Sequence, residues 1–161
     1  MSKTRKIIFI SLIASLYAAL TLSIPGLSYG PLQFRVSEIL VLLAFFDPLY
    51  IPALTLGCAL ANLASPFGLV DVIVGSFASY LSLLMINKSK NIYIASLWPA
   101  FFSFIIGLEI YFLSSEPVNF MLVTLQIAIS EFVVVSILGV GIFKIIESRK
   151  DIISLIKLST K

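Results

Sequence analysis

Residues 29–38 read YGPLQFRVSE, and they place an arginine and a glutamate between two long apolar segments. A charged side chain inside a bilayer is costly, and it is kept mainly where it pairs, lines a polar cavity or has a function. Arg35 and Glu38 are therefore the first candidates for a functional site, and the segments around them are candidate membrane spans.

The composition agrees with that interpretation. Hydrophobic residues make up 60% of the 161 residues and charged residues 12%, and the mean hydropathy is +1.11. These values indicate an integral membrane protein. No polar stretch is long enough to form a soluble domain, so a single membrane domain over residues 1–161 is expected.

Several kinds of chemistry are excluded by residues that the chain lacks. It has no histidine and a single cysteine, Cys58, so a Ser-His-Asp triad, an intrachain disulfide and a cysteine-cluster metal site are excluded. No GxxxxGK[ST] phosphate loop occurs, and any ATP hydrolysis must come from a partner. We expect no enzymatic activity, no metal and no cofactor. The net charge of +3 indicates flanks that face anionic lipid rather than nucleic-acid binding.

Six apolar segments can be distinguished along the chain. An α-helix crosses a bilayer core of about 30 Å with about 20 residues, so the sequence predicts an all-α bundle of six transmembrane helices with a short second helix. The second and third segments could instead form one broken hairpin inside the bundle. The predicted spans are residues 7–25, 36–46, 51–65, 69–86, 92–113 and 118–146.

The basic residues predict the orientation, because positively charged loops stay in the cytoplasm. With both termini cytoplasmic, all of the 11 basic residues except Arg35 lie on the inner side. These inner residues are Lys3, Arg5, Lys6, Lys88, Lys90, Lys144, Arg149, Lys150, Lys157 and Lys161. A lone arginine on the outer side favours a binding or packing role for Arg35.

Acidic and amide side chains fall in the outer half of most predicted spans, with Glu131 deeper, near the middle. A shared cavity that opens outward would hydrate or pair them. Carboxylates suit a ligand with hydrogen-bond donors and positive charge, such as a guanine-like edge with an amine, and aromatic walls would hold its ring. The polar candidates are Glu38, Asn62, Asp71, Glu109, Gln126 and Glu131, and the aromatic ones are Tyr29, Phe34, Tyr111 and, farther from the outer side, Trp98.

Each polar candidate also has a purely structural interpretation. Arg35 and Glu38 are three residues apart and could form an ion pair at a helix start. Asp71 could be a charge at a helix terminus, where the helix dipole favours it, and Glu109 could reach the outer membrane interface. Asn62 and Gln126 could form hydrogen bonds between helices. Glu131 has no basic residue within a helical turn or two, so a functional role is favoured there.

A different pattern marks the first span. Ala14 and Ala18 form a small-xxx-small pair, and small residues four apart let another helix approach closely. The pair predicts either internal packing or an interface with a partner protein.

Three blocks of sequence resemble the QueT family, the substrate-binding S components of energy-coupling-factor vitamin transporters. They are YGPLQFRVSEIL from residue 29, GCALANLASPFGLVDVIVGS over residues 57–76 and SEFVVVSILG over residues 130–139. The resemblance covers nearly the whole chain, and the six predicted spans and inner termini agree with it.

The resemblance implies uptake of a queuosine precursor, 7-aminomethyl-7-deazaguanine or queuine, across a prokaryotic plasma membrane. It also implies a transmembrane coupling subunit and two cytoplasmic ATPase subunits as partners, with the loaded subunit tilting to carry its site inward. Ala14 and Ala18 match the family's docking motif. Site residues carried over by position are Arg35, Glu38, Asn62, Asp71 and Glu131, and the chain departs from the family pattern at Ser103 and Ser130.

Three other hypotheses remain open at this stage. The chain could bind another vitamin or nucleobase as the same kind of subunit, it could be a self-sufficient carrier with Glu131 as a proton relay, or it could be a scaffold bundle. In the favoured hypothesis, Glu131 or Glu109 accepts from the guanine-like edge, Glu38 or Asp71 pairs with the amine, and Arg35 caps the cavity.

Overall fold

The computed structural model describes residues 2–30 and 32–157, and every regular element in these residues is helical. This confirms the all-α prediction. The elements in chain order are α1 (Lys3–Ser23), α2 (Pro25–Ser28), a 3₁₀ helix (Val36–Leu42), α3 (Leu43–Phe46), α4 (Tyr50–Asn62), α5 (Leu69–Lys88), α6 (Ile92–Ala95), α7 (Trp98–Leu113), α8 (Phe120–Glu131), a π-helix (Phe132–Gly139), α9 (Val140–Glu147) and α10 (Lys150–Ile156).

Four helical segments are long and apolar enough to cross a membrane. They are Lys3–Ser23, Leu69–Lys88, Ile92–Leu113 and Phe120–Glu147. The helices over Val36–Phe46 and Tyr50–Asn62 are apolar but shorter. Large apolar side chains such as Leu12, Ile73 and Phe112 are exposed on the outside of the bundle, which is the surface that lipid requires. The protein is a multi-pass membrane protein.

The ends and breaks of these helices follow from local sequence. Pro25 occupies the first turn of α2, where its missing N–H costs nothing, so α1 ends at Ser23 rather than at residue 25. Pro99 starts α7 in the same way, and Ser96 and Leu97 join α6 to α7. The Asn119 side chain caps α8 by accepting from the Leu122 N–H at 3.2 Å.

Five helices pack in a consecutive series, α1 on α4, α4 on α5, α5 on α7 and α7 on α8. The α1–α4 contact is close because a Cβ on Gly57 would lie 2.8 Å from the Tyr17 Cβ and 3.0 Å from the Ala14 carbonyl oxygen. Ala14 and Ala18 are only 1% and 8% exposed. Their side chains therefore take part in internal packing, the structural alternative for this pair.

The two helices that are not α-helical pack against each other. The 3₁₀ helix carries Glu38, and the π-helix begins directly after Glu131. Gly139 permits this contact, since a Cβ there would lie 3.1 Å from the Leu42 Cδ1. The contact between these two helices brings the second and sixth predicted spans together near Glu38 and Glu131.

Candidate functional site

A polar chamber lies between the 3₁₀ helix and helices α4, α5, α7 and α8. Its volume is about 50 Å³, which is room for a few water molecules at ~10–15 Å³ each. The lining residues are Gln33, Arg35, Glu38, Val41, Asn62, Asp71, Gly75, Ala78, Ser79, Ser82, Pro99, Phe102, Ser103, Ile106, Ile127 and Glu131. The chamber gathers five of the polar residues singled out in the sequence, Arg35, Glu38, Asn62, Asp71 and Glu131.

An apolar vestibule adjoins the chamber. Its volume is about 370 Å³, within the range of small-molecule sites, and Gln33, Arg35 and Asp71 line both spaces. The remaining vestibule residues are Tyr29, Gly30, Pro66, Phe67, Ile110, Val118, Val123 and Gln126. A ligand of moderate size can therefore place a polar end in the chamber and the rest of its body in the vestibule.

A larger groove lies between α4 and α5. Its volume is about 660 Å³, and no charged side chain lines it. The chemistry of the chamber and vestibule makes them the better candidate for recognition of a polar ligand.

Arg35 lies between the two spaces and is held by two contacts. Its Nε donates to the Ser28 carbonyl oxygen at 3.2 Å, and its guanidinium carbon is 5.3 Å from the centre of the Tyr29 ring, a cation–π arrangement. The Tyr29 hydroxyl donates to the Ala61 carbonyl oxygen at 2.5 Å, and burial raises the pKa of this phenol. Tyr29 is thus a neutral platform that fixes the guanidinium.

Glu38 is buried and faces two partners. The Tyr17 hydroxyl of α1 donates to its Oε1, and Arg35 acts on it electrostatically. Among the described residues the ion pair is that of Lys144 with Glu147, so Arg35 and Glu38 do not form the direct ion pair that their spacing suggested. The 3₁₀ helix instead positions Glu38 for the Tyr17 hydroxyl.

Asn62 and Asp71 join the end of α4 to the start of α5. The Asn62 Nδ2 donates to the Asp71 carbonyl oxygen at 2.9 Å, and the Asp71 Oδ2 accepts from the Phe67 N–H at 3.0 Å. Asp71 therefore caps the turn before α5, as the structural alternative predicts, and also lines both spaces. The Asn62 Oδ1 has no hydrogen-bond partner within the described residues.

Glu131 and Glu109 carry oxygens that lack partners. The Glu131 Oε2 is buried without a hydrogen bond to any described residue, and its charged neighbours are Glu38 and Arg35. Glu109 is 6% exposed, and neither of its oxygens has a hydrogen-bond partner in the part of the chain described. Its side chain lines neither the chamber nor the vestibule. The interfacial position expected as an alternative for Glu109 is not what the structure has.

The other predicted residues are divided between the site and its surroundings. Tyr29 and Gln126 line the vestibule, whereas Phe34 lines neither space and packs against the core. Trp98 donates from its indole nitrogen to the Ser89 hydroxyl at 3.0 Å. Tyr111 is exposed beside Phe112.

Sequence reasoning missed several residues that line the chamber. Gln33 lies two residues before Arg35 and has a left-handed backbone with φ 46°, but nothing in one sequence distinguishes it from other loop residues. The signal on α5 was available: Asp71, Gly75, Ser79 and Ser82 follow helical spacing and share one face. That small, polar face borders the chamber.

The amino-acid sequence is similar to that of known membrane transporters. Residues 7–148 match the model of the family described as QueT transporter. The chain is 42% identical over 149 residues to the "Queuosine precursor transporter QueT" of Lactococcus lactis subsp. cremoris (strain MG1363), covering 81% of this chain and 86% of the relative. No solved structure gives a significant match.

Proposed function

The chain belongs to the QueT transporter family, and from this premise we propose that it binds a queuosine precursor outside the cell and serves as the substrate-specific subunit of an energy-coupling-factor importer. The ligand would be 7-aminomethyl-7-deazaguanine or queuine, both flat deazaguanines with a cationic amine. The name of the Lactococcus lactis relative, a queuosine precursor transporter, supports this choice of ligand.

The observation that carries the proposal is the convergence of one arginine, three carboxylates and two amides on a single chamber. A guanine-like edge presents adjacent N–H donors and a carbonyl oxygen, which carboxylates and an arginine complement. Apolar walls of the vestibule would cover the faces of the ring. Glu131 or Glu109 would accept from the edge, Glu38 or Asp71 would pair with the amine, and Arg35 would cap the chamber.

The proposed topology is six membrane crossings with both termini cytoplasmic. The two short apolar helices, Val36–Phe46 and Tyr50–Asn62, would cross as part of the bundle, packed beside the longer helices. With this topology the chamber opens outward, and all basic residues except Arg35 face the cytoplasm.

The partners would be a transmembrane coupling subunit and two cytoplasmic ATPase subunits, because this chain has no phosphate loop of its own. The subunit itself would catalyse no reaction. ATP hydrolysis in the partners would drive the loaded subunit to tilt and to release its ligand inside.

The proposed docking element for the coupling subunit is α1, the helix that carries Ala14 and Ala18. Because the side chains of this pair pack inside the chain, its contribution would be to hold α1 close to α4. Ser11 and Ser15 lie exposed on the neighbouring face of α1 and would give a partner helix its close approach.

A melting experiment on purified protein in detergent tests the ligand. A ligand at 100 times its dissociation constant adds about 2.7 kcal/mol of stability, so 7-aminomethyl-7-deazaguanine and queuine should raise the melting temperature, whereas thiamin and riboflavin should not. A shift with a control vitamin instead would change the ligand within the same class. No shift with any ligand would favour the scaffold hypothesis, and uptake into liposomes without ATPase subunits would favour a proton-coupled carrier.

A further inference from the structure

We propose that Phe102 is the stacking platform for the base: the end of the deazaguanine ring that enters the chamber lies flat on this side chain, which is packed against Trp98. This inference rests on the proposed function and adds to it a residue that recognises the face of the ring rather than its edge. It makes an aromatic side chain at position 102 a requirement for tight binding of a planar base.

The first support is the aromatic content of the chamber. Among the described residues that line it, Phe102 is the one with an aromatic side chain. Tyr29 and Phe67 line the vestibule and not the chamber, and the Tyr29 ring already holds the Arg35 guanidinium. Aromatic rings pair in offset-stacked or edge-to-face arrangements. A flat base that enters the chamber therefore has Phe102 as its ring partner.

The second support is the apolar character of the α7 wall. Phe102 and Ile106 belong to one face of α7, because the lining residues of this helix follow helical spacing. The Ser103 hydroxyl on the same face donates to the Ala100 carbonyl oxygen at 2.7 Å, so it is already engaged. The α7 residues that line the chamber are Pro99, Phe102, Ser103 and Ile106.

Free hydrogen-bonding capacity lies on other elements of the chamber. The Asn62 Oδ1 of α4 and the Glu131 Oε2 of α8 are buried acceptors without partners in the described part of the chain. Arg35 uses its Nε for Ser28 and has further N–H donors on the guanidinium. The edge of a base finds its partners on these elements, and α7 is left to cover a face of the ring.

Helix α5 leaves room for a ring beside this wall. It packs against α7 and lines the chamber with Gly75, Ala78, Ser79 and Ser82 in addition to Asp71. These four side chains are small, so they do not fill the space next to Phe102. At about 50 Å³ the chamber admits one end of a bicyclic base, and the vestibule walls would cover the rest.

The orientation of Phe102 is fixed before any ligand arrives. Its ring is stacked on Trp98 with centroids 6.0 Å apart and an interplanar angle of 29°, and the edge contact with Phe101 has centroids 5.2 Å apart. The Trp98 indole nitrogen donates to the Ser89 hydroxyl at 3.0 Å. A side chain that is already ordered loses little freedom on binding. Trp98, an aromatic candidate from the sequence, thus acts as a positioning residue for Phe102.

Titration calorimetry with 7-aminomethyl-7-deazaguanine and queuine tests the contribution of the ring to affinity. Phe102→Leu keeps an apolar side chain and removes the ring, so both ligands should bind about threefold to tenfold more weakly, the effect of a lost aromatic contact. Phe102→Tyr keeps the ring and should bind within about twofold of the wild type. The matched control on the same helix is Phe112→Leu, because Phe112 is 75% exposed and lines neither space. This variant should bind like the wild type.

Fluorine NMR tests the stacking contact itself and keeps the ring in place. With para-fluorophenylalanine at position 102, the ring current of a stacked base should shift the fluorine resonance in proportion to the occupied fraction of the protein. The same label at position 112 should keep its resonance. A purely structural role for Phe102 in the aromatic cluster with Trp98 and Phe101 predicts no such difference between the two labels.

The outcomes separate this inference from the function on which it rests. If the wild-type protein binds neither deazaguanine, the proposed function fails and the inference fails with it. If the wild type binds but the label at position 102 does not shift at saturation, the platform is overturned and the function stands. The same conclusion follows if Phe102→Leu binds as tightly as Phe102→Tyr. Melting temperatures of the ligand-free variants identify any loss that is due to unfolding, and the fluorine label then decides the matter alone.

Discussion

Gly75 shows how a missing side chain shapes the chamber. A Cβ on Gly75 would collide with the Asn62 Nδ2, the atom that donates to the Asp71 carbonyl oxygen. Gly75→Ala should therefore displace the Asn62 amide and cost about 1–3 kcal/mol of stability through overpacking, with weaker ligand binding. Gly141→Ala is the matched control, since a Cβ there meets nothing within 4 Å. Melting temperatures and ligand affinities of the two variants provide the measurement, and equal behaviour would contradict the argument.

Tyr17 makes a second prediction at the level of a single atom. Its hydroxyl donates to the buried Glu38, so Tyr17→Phe removes a donor and leaves a buried carboxylate oxygen unsatisfied. The expected loss is about 1–3 kcal/mol, read as a lower melting temperature, together with weaker binding at the chamber. Tyr80→Phe, at an exposed position, should change neither quantity. A stable Tyr17→Phe variant with normal affinity would mean that the Tyr17 hydroxyl does not hold Glu38 in place.

The polar residues of the site were largely predictable at this scale, and their partners were not. Arg35, Glu38, Asp71 and Glu131 stand out because charges are rare in apolar segments, and the structure brings them to one chamber. The Tyr17 hydroxyl was missed because a tyrosine in a membrane span has many suitable environments. Its position depends on how α1 packs against the 3₁₀ helix, which is a contact distant in sequence.

At the scale of elements, the π-helix after Glu131 is the feature that the sequence did not reveal. A π-helix is wider than an α-helix and is frequent at functional sites, and here it lies against the 3₁₀ helix that carries Glu38. The stretch FVVVSILG has no proline and only a terminal glycine, so the 118–146 segment predicted an uninterrupted α-helix. Tertiary packing against Leu42 and the hydrogen bond from Ser136 to the Ser96 carbonyl oxygen accompany the different winding.

Removing one residue from the π-helix tests its role. Deletion of the exposed Ile137 should rotate α8 by about 100° relative to α9, because each helical residue turns the chain by that amount. Glu131 would then leave the chamber, and affinity should fall by about tenfold or more, equivalent to at least ~1.4 kcal/mol. Ile137→Ala keeps the residue count and should bind normally. If the deletion variant binds as well as Ile137→Ala, the winding has no part in placing Glu131.

The two faces of α1 predict different effects of bulky substitutions. Ala14 is buried against α4, so Ala14→Leu should overpack the contact and lower stability by about 1–3 kcal/mol. Ser15 is exposed, so Ser15→Trp should keep the melting temperature and ligand affinity and reduce co-purification with the coupling subunit. Normal stability of Ala14→Leu with loss of the partner would assign docking to Ala14 and Ala18 instead.

At the scale of the whole molecule, the order and class of the helices followed from apolar segments and proline positions, whereas their individual lengths did not. Residues 51–65 were predicted as one span, yet α4 ends at Asn62. After it the backbone turns more tightly, with i→i+3 hydrogen bonds from Ala64 to Ala61 and from Ser65 to Asn62. The burial of Glu109 was equally hidden, since it depends on how α7 packs against α5 and α8. Periodicity gives the face of a helix, and only packing decides which neighbour that face meets.

The orientation of the whole bundle gives the last prediction, and the chain is well suited to test it. The native Cys58 is 1% exposed, so the wild-type protein should not react with a membrane-impermeant maleimide. Lys90 and Glu116 are exposed in the loops before α6 and after α7. In the proposed topology, which follows the distribution of basic residues, these loops lie on opposite sides of the membrane. Glu116→Cys should be labelled in intact cells, and Lys90→Cys only after the membrane is opened. Labelling of Lys90→Cys in intact cells would invert the topology, and the chamber would then have to load from the cytoplasm.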